Sequence, residues 1–118
     1  MHKEALTREA AKLLPQFAGF KNFYLAGGTA LALQIGHRRS VDFDFFSQKK
    51  LPDNLLSQVK TTFPKAKIAV TYSDSHQINL LVDNVRTTFL EYPYKVFKLF
   101  VRADDIAVAA IEEIAAMK

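Results

Sequence analysis

The run Val41-Asp42-Phe43-Asp44-Phe45 leaves this chain little choice of local structure. Acidic and large apolar side chains alternate with a period of two, the period of a β-strand. Both carboxylates therefore leave one face, while Val41, Phe43 and Phe45 leave the other. A one-residue slip of register would drive the acids into the core, so the strand's orientation is set as firmly as its conformation. Two unpaired carboxylates side by side are costly to bury. A divalent cation offsets that cost, and carboxylate oxygens are the donors that hard cations take. Asp42 and Asp44 are thus the expected metal ligands.

A second motif lies upstream. Phe23-Tyr24-Leu25-Ala26 reads as a short strand running into Gly27-Gly28-Thr29 and then into the helix-forming run Ala30-Leu31-Ala32-Leu33-Gln34-Ile35, which Gly36 ends. Glycines at 27 and 28 allow a sharp turn and a close approach of backbone to ligand, and the free amides of a helix start favour phosphate. The polar loop His37-Arg38-Arg39-Ser40 returns the chain as a neighbouring strand. Gly27, Gly28 and Thr29 then face Asp42 and Asp44 as a phosphate cradle.

Within the loop, Arg38 and Arg39 carry guanidinium forks suited to bidentate phosphate contact, Arg38 being the preferred ligand. An ion pair from Arg38 to Asp42 or Asp44 is the competing reading. Ser40 either orients Asp42, touches a phosphate, or simply forms the turn before the strand. His37 either contacts a ligand or hydrogen-bonds at the helix end, and His2 and His76 have no partner spacing for a metal.

These stretches carry a family resemblance. The glycine pair, short helix and Asp42-Phe43-Asp44 resemble the nucleotidyltransferase signature of the DNA polymerase β superfamily. More narrowly, Leu25-Ala26-Gly27-Gly28-Thr29-Ala30-Leu31-Ala32-Leu33 with Gly36-His37-Arg38-Arg39-Ser40-Val41-Asp42-Phe43-Asp44-Phe45-Phe46 is similar to the AbiEii/AbiGii nucleotidyltransferase toxins of bacterial toxin-antitoxin and abortive-infection systems. Weaker echoes follow in Phe89-Leu90-Glu91-Tyr92-Pro93-Tyr94 and from Asp105 to the end of the chain.

The resemblance implies Mg²⁺ (or Mn²⁺) on Asp42 and Asp44 as the catalytic acids. It also implies a nucleoside triphosphate donor, a tRNA 3′ end as acceptor, a cognate antitoxin protein, and Lys118 as a further nucleotide ligand. Such enzymes place a third carboxylate on a later strand, and the matching position here carries Thr88. Glu91, close by, is either a substitute metal ligand or an ordinary exposed acid at the strand end. Tyr92, Tyr94, Phe97 and Lys98 interleave aromatic and basic character, which suits either RNA contact or packing beneath the sheet.

Composition bounds the rest. A chain of 118 residues, 49% hydrophobic, suits one globular domain over residues 1–118. No apolar run approaches the ~20 residues of a membrane span, and Met1-His2-Lys3-Glu4 lacks the apolar stretch of a leader, so a cytoplasmic protein without membrane contact is expected. The absence of cysteine excludes disulfides and thiolate metal sites. A net charge of +4, from 16 basic and 12 acidic residues, leans toward an anionic partner or is an ordinary solvated surface.

The expected architecture is α/β (α+β), a nucleotidyltransferase-like mixed sheet flanked by helices, with a truncated or minimal helical C-terminus. Leu6, Ala10, Leu13, Leu14 and Phe17 recur at helical spacing before Gly19. Pro52 and Asp53 start a second helix with Leu55, Leu56, Val59 and Phe63 on its buried side, stopped by Pro64. Residues 66–72, 77–82 and 85–90 read as an antiparallel meander with turns at Ser73-Asp74-Ser75 and Asp83-Asn84. Residues 98–102 add a short strand, and Asp104 or Asp105 caps a closing helix that buries Ile106, Ala110, Ile111 and Ile114. Without the third acid, the alternative is a catalytically degenerate nucleotide-binding or protein-interaction module, dimerised through an exposed sheet edge as a homodimer.

Overall fold

The computed structural model describes residues 6–20, 22–35, 42–93, 101–103 and 106–108. Its strands are β1 (Tyr24–Ala26), β2 (Phe43–Ser47), β3 (Ile68–Ser73), β4 (Gln77–Val82), β5 (Val85–Glu91), β6 (Val101–Ala103) and β7 (Ile106–Val108). They form one mixed sheet in the order β3-β4-β5-β2-β1-β7-β6. Helices α1 (Arg8–Leu13), α2 (Gly27–Ile35) and α3 (Leu55–Thr62) accompany it, giving the α+β architecture that the sequence patterns predict.

The alternation in β2 sorts its side chains as expected: Phe43, Phe45 and Ser47 are buried, while Asp44 and Phe46 are half-buried on the other face. Phe17 anchors the core layer. Its ring lies 5.5 Å from Phe43, 4.7 Å from Phe45, 5.0 Å from Phe63 and 6.2 Å from Phe89, in tilted and edge-on arrangements that aromatic pairs favour. The first helical segment and the end of α3 thereby close over the same sheet face. Buried Leu55 and Val59 continue that contact along α3.

The meander forms as read. β3, β4 and β5 pair antiparallel in sequence. Asp83 and Asn84 both take positive φ, 48° and 72°, as a two-residue hairpin turn with right-handed strand twist demands. At the other turn, Asp74 accepts the backbone amides of His76 and Gln77, each at 2.8 Å. β3 is one edge of the sheet, with Val70 45% and Tyr72 50% exposed, and a bulge between these two residues breaks its regular pairing.

Four local expectations change. The first helix is α-helical only over Arg8–Leu13 and continues as a 3₁₀ turn over Leu14–Gly19, because Pro15 has no amide to continue the α-helical ladder. α3 begins at Leu55, after a turn at Asp53 and Asn54 in which Leu55 N donates to Pro52 O at 3.2 Å. The later short strand is described over Val101–Ala103, one residue past its expected end, and residues 98–100 lie outside the described residues.

The fourth is the largest. Ile106–Val108 is a strand, where a helix opening was expected: Leu25 of β1 pairs with Val108 in parallel, and β6 pairs with β7 antiparallel. Ile106 and Val108 are buried and Ala107 only half so, a period of two that the helical reading passed over in favour of the Ile106-Ala110 spacing. Ala110, Ile111 and Ile114, with Asp104 and Asp105, lie outside the described residues, as do Tyr94, Phe97 and Lys98.

Candidate active site

The acids sit at the centre of the sheet. Ala26, the last residue of β1, pairs with Asp44, so the chain leaves β1 and enters α2 directly beside the Asp44 carboxylate. Gly27 makes this possible. Its φ of 67° is in the left-handed region, and a Cβ at this position would collide with the Asp44 carboxylate. The same first turn of α2 is fastened to the residue that precedes β2: the Thr29 hydroxyl, 1% exposed, donates to the main-chain carbonyl of Asp42. Gly28 lies between them as the second residue of α2.

The electrostatics follow from this crowding. Burial, and then the charge of Asp42, push the Asp44 carboxyl above its ordinary range. Asp42 Oδ1 is buried and has no hydrogen-bond partner among the described residues. An unpartnered carboxylate oxygen beside a second acid that resists ionisation has the chemistry of a cation-binding donor set. Oxygen ligands of this kind fit Mg²⁺ or Mn²⁺. No group of three His, Cys, Asp or Glu converges among the described residues, so Asp42 and Asp44 are the acids available to such an ion there.

The flank opposite α2 belongs to β5. There Asp44 pairs with Thr88, so the residue level with it on β5 carries a hydroxyl. Glu91 stands three residues further on, level with Ser47 and hence on the face opposite Asp44; its carboxylate pairs with the His76 ring. The structure thus brings Asp42, Asp44, Gly27 and Thr29 together and leaves Glu91 elsewhere. Arg38, Arg39, Ser40, His37 and Lys118 lie outside the described residues. Tyr92 packs its ring on Phe46 at 5.3 Å.

Sequence reading passed over Arg86 and Asn79. Asn79 of β4 pairs with Thr88, and running the β2–β5 register back one residue sets Arg86 level with Asp42. The signal was available: Arg86 is two residues before Thr88 in a strand, so both side chains leave the face that carries the acids.

A mixed sheet with one aspartate on a central strand and a second just before it, set against a glycine-opened helix, is the framework of a nucleotidyltransferase-like domain. The chain belongs to the AbiEii nucleotidyltransferase toxin family of type IV toxin-antitoxin systems, whose model matches residues 10–112. It is 32% identical over 113 residues to the uncharacterized protein aq_aa25 of Aquifex aeolicus (strain VF5), covering 94% of this chain and 55% of that one.

Among solved structures it is similar to JHP933 from Helicobacter pylori, with a TM-score of 0.69, 25% identity, and coverage of 95% of this chain and 56% of that one. The fold also matches a candidate nucleotidyltransferase (TM1012) from Thermotoga maritima, with a TM-score of 0.64, 17% identity, and coverage of 99% and 88%. The chain thus spans about half the length of the first two relatives. No described helix is long and apolar enough to cross a membrane.

Proposed function

We propose that this domain transfers a nucleotide from a nucleoside triphosphate to a hydroxyl acceptor, with Mg²⁺ or Mn²⁺ held by Asp42 and Asp44. A tRNA 3′ end is the proposed acceptor, and an antitoxin protein the proposed partner of the toxin. The observation that carries the reading is the contact between the Asp44 carboxylate and Gly27, which sets paired acids against the start of α2. In that reading the amides of Gly28 and Thr29 meet the triphosphate at the positive end of the helix. The Thr29 hydroxyl keeps Asp42 at a fixed height beside Asp44.

A divalent cation held by Asp42 and Asp44 would neutralise charge on the triphosphate during the in-line displacement. An oxygen of the acceptor bonds to the α-phosphorus as the bond to the β-phosphate bridging oxygen breaks, and the hydroxyl proton is lost to solvent. The products are the nucleotidylated acceptor and pyrophosphate. Asp42 and Asp44 serve this step as ligands and by orientation, with no general base assigned.

The alternative, a degenerate binding module, is favoured by one observation: Thr88 stands where a third acid would. Incubating the protein with each α-labelled nucleoside triphosphate, Mg²⁺ and total tRNA separates the two. Label transferred to RNA by the native chain and not by Asp42→Asn with Asp44→Asn supports the enzyme. Nucleotide binding without transfer to any acceptor supports the module.

A further inference from the structure

The face that carries the acids does not end at Asp44. Pairing carries it across the sheet as a polar row, Asp44 to Thr88 to Asn79, and beside that row Arg86 pairs with Leu81 and directly precedes Thr87, the partner of Phe43. Over this part of the sheet lies a depression of about 410 Å³, lined among others by Thr71, Asn79, Leu81, Arg86 and Thr88. Its size is that of a site for a small ligand or one end of a larger one. Arg86 is exposed, and the ion pair found among the described residues, His76 with Glu91, does not involve it.

We propose that this trough seats the terminal phosphodiester of a single-stranded nucleic-acid acceptor, with Arg86 as the phosphate contact and Asn79 and Thr88 as flanking hydrogen-bond partners. The inference rests on the transferase reading and adds to it the side from which the acceptor enters.

The geometry favours an acceptor over the nucleotide. Asp44 is flanked by β1 and the start of α2 on one side and by β5 on the other. An in-line displacement needs the attacking hydroxyl opposite the departing pyrophosphate. With the triphosphate at the start of α2, the β5 flank is the acceptor's. A guanidinium there, with a hydroxyl and an amide beside it, matches a phosphodiester in charge and in hydrogen-bonding character. A third carboxylate in place of Thr88 would repel that phosphate.

The test uses the whole chain, a fluorescein-labelled five-nucleotide single-stranded RNA with a free 3′ hydroxyl, and Mg²⁺ with a non-hydrolysable nucleoside triphosphate. Arg86→Ala is expected to weaken RNA binding roughly tenfold and to flatten its dependence on log salt by about 0.7. Arg86→Lys should recover part of the loss, and nucleotide affinity should not move. Lys60→Ala, a change of an exposed cation on α3, should leave RNA binding as it was.

Unchanged RNA affinity in Arg86→Ala, an equal loss in Lys60→Ala, a loss confined to the nucleotide, or no RNA binding by the native chain would each overturn the inference. RNA binding that depends on Arg86 in a chain that never binds nucleotide would sink the transferase reading alone.

Discussion

At the residue scale, Gly27 and Asp44 define each other. Any side chain at 27 meets both a left-handed backbone and the Asp44 carboxylate. Gly27→Ala should therefore lower stability by roughly 1–3 kcal/mol in urea denaturation and reduce nucleotide transfer further than that loss explains. Asp44 itself carries a pH signature. Burial and the Asp42 charge raise its pKa above the ordinary 3.8, so the folded chain keeps this proton to higher pH than the unfolded chain does. Without a divalent cation, stability therefore falls as pH climbs from about 3.8 through the raised value, and the loss is complete above it. Asp44→Asn removes that loss. In chelator at neutral pH the variant should melt higher than the native chain, and below pH 3.8 the difference should vanish. An Asn variant no more stable at neutral pH would show that the acids do not strain the fold.

At the scale of elements, the Thr29 hydroxyl fastens α2 to the chain entering β2. The buried Thr29 hydroxyl holds the Asp42 carbonyl, so Thr29 positions the acids in addition to its proposed place in the cradle. Thr29→Val keeps the volume and removes the donor. It should cost about 1–3 kcal/mol in denaturation and lower kcat with little change in KM for the nucleotide, while Thr29→Ser retains both. How much could be read in advance follows element by element. β2, the glycine turn, the meander and Asp83-Asn84 were legible because alternation and turn chemistry are local. Ile106–Val108 was misread because its partner, β1, lies far away in sequence, and three residues do not distinguish the two periods. Glu91 was misplaced by counting along the chain, whereas register with Ser47 decides its face. Arg86 was missed because its relation to Asp42 exists only once β5 lies beside β2.

At the scale of the molecule, one aromatic residue ties the layers together. Phe17 meets rings from β2, β5 and the end of α3, so Phe17→Ala should cost about 3–5 kcal/mol, a large part of the stability of a domain this size. Urea denaturation reads that loss directly, and a cost under about 1 kcal/mol would mean that the layers are held elsewhere. This buried layer lets the opposite face of the sheet present acids, a helix start and a polar trough on one rigid support. In the proposed function, Asp42 and Asp44 together seat a divalent cation with a triphosphate at the start of α2. Titration of Mn²⁺ into the native chain and into Asp42→Asn with Asp44→Asn, each with a non-hydrolysable nucleoside triphosphate, tests it most directly. Binding to the native chain is expected, with a loss in the double variant exceeding the roughly 10–100-fold that an outer-shell partner costs and unfolding still cooperative. Equal Mn²⁺ affinity in the two proteins would contradict it.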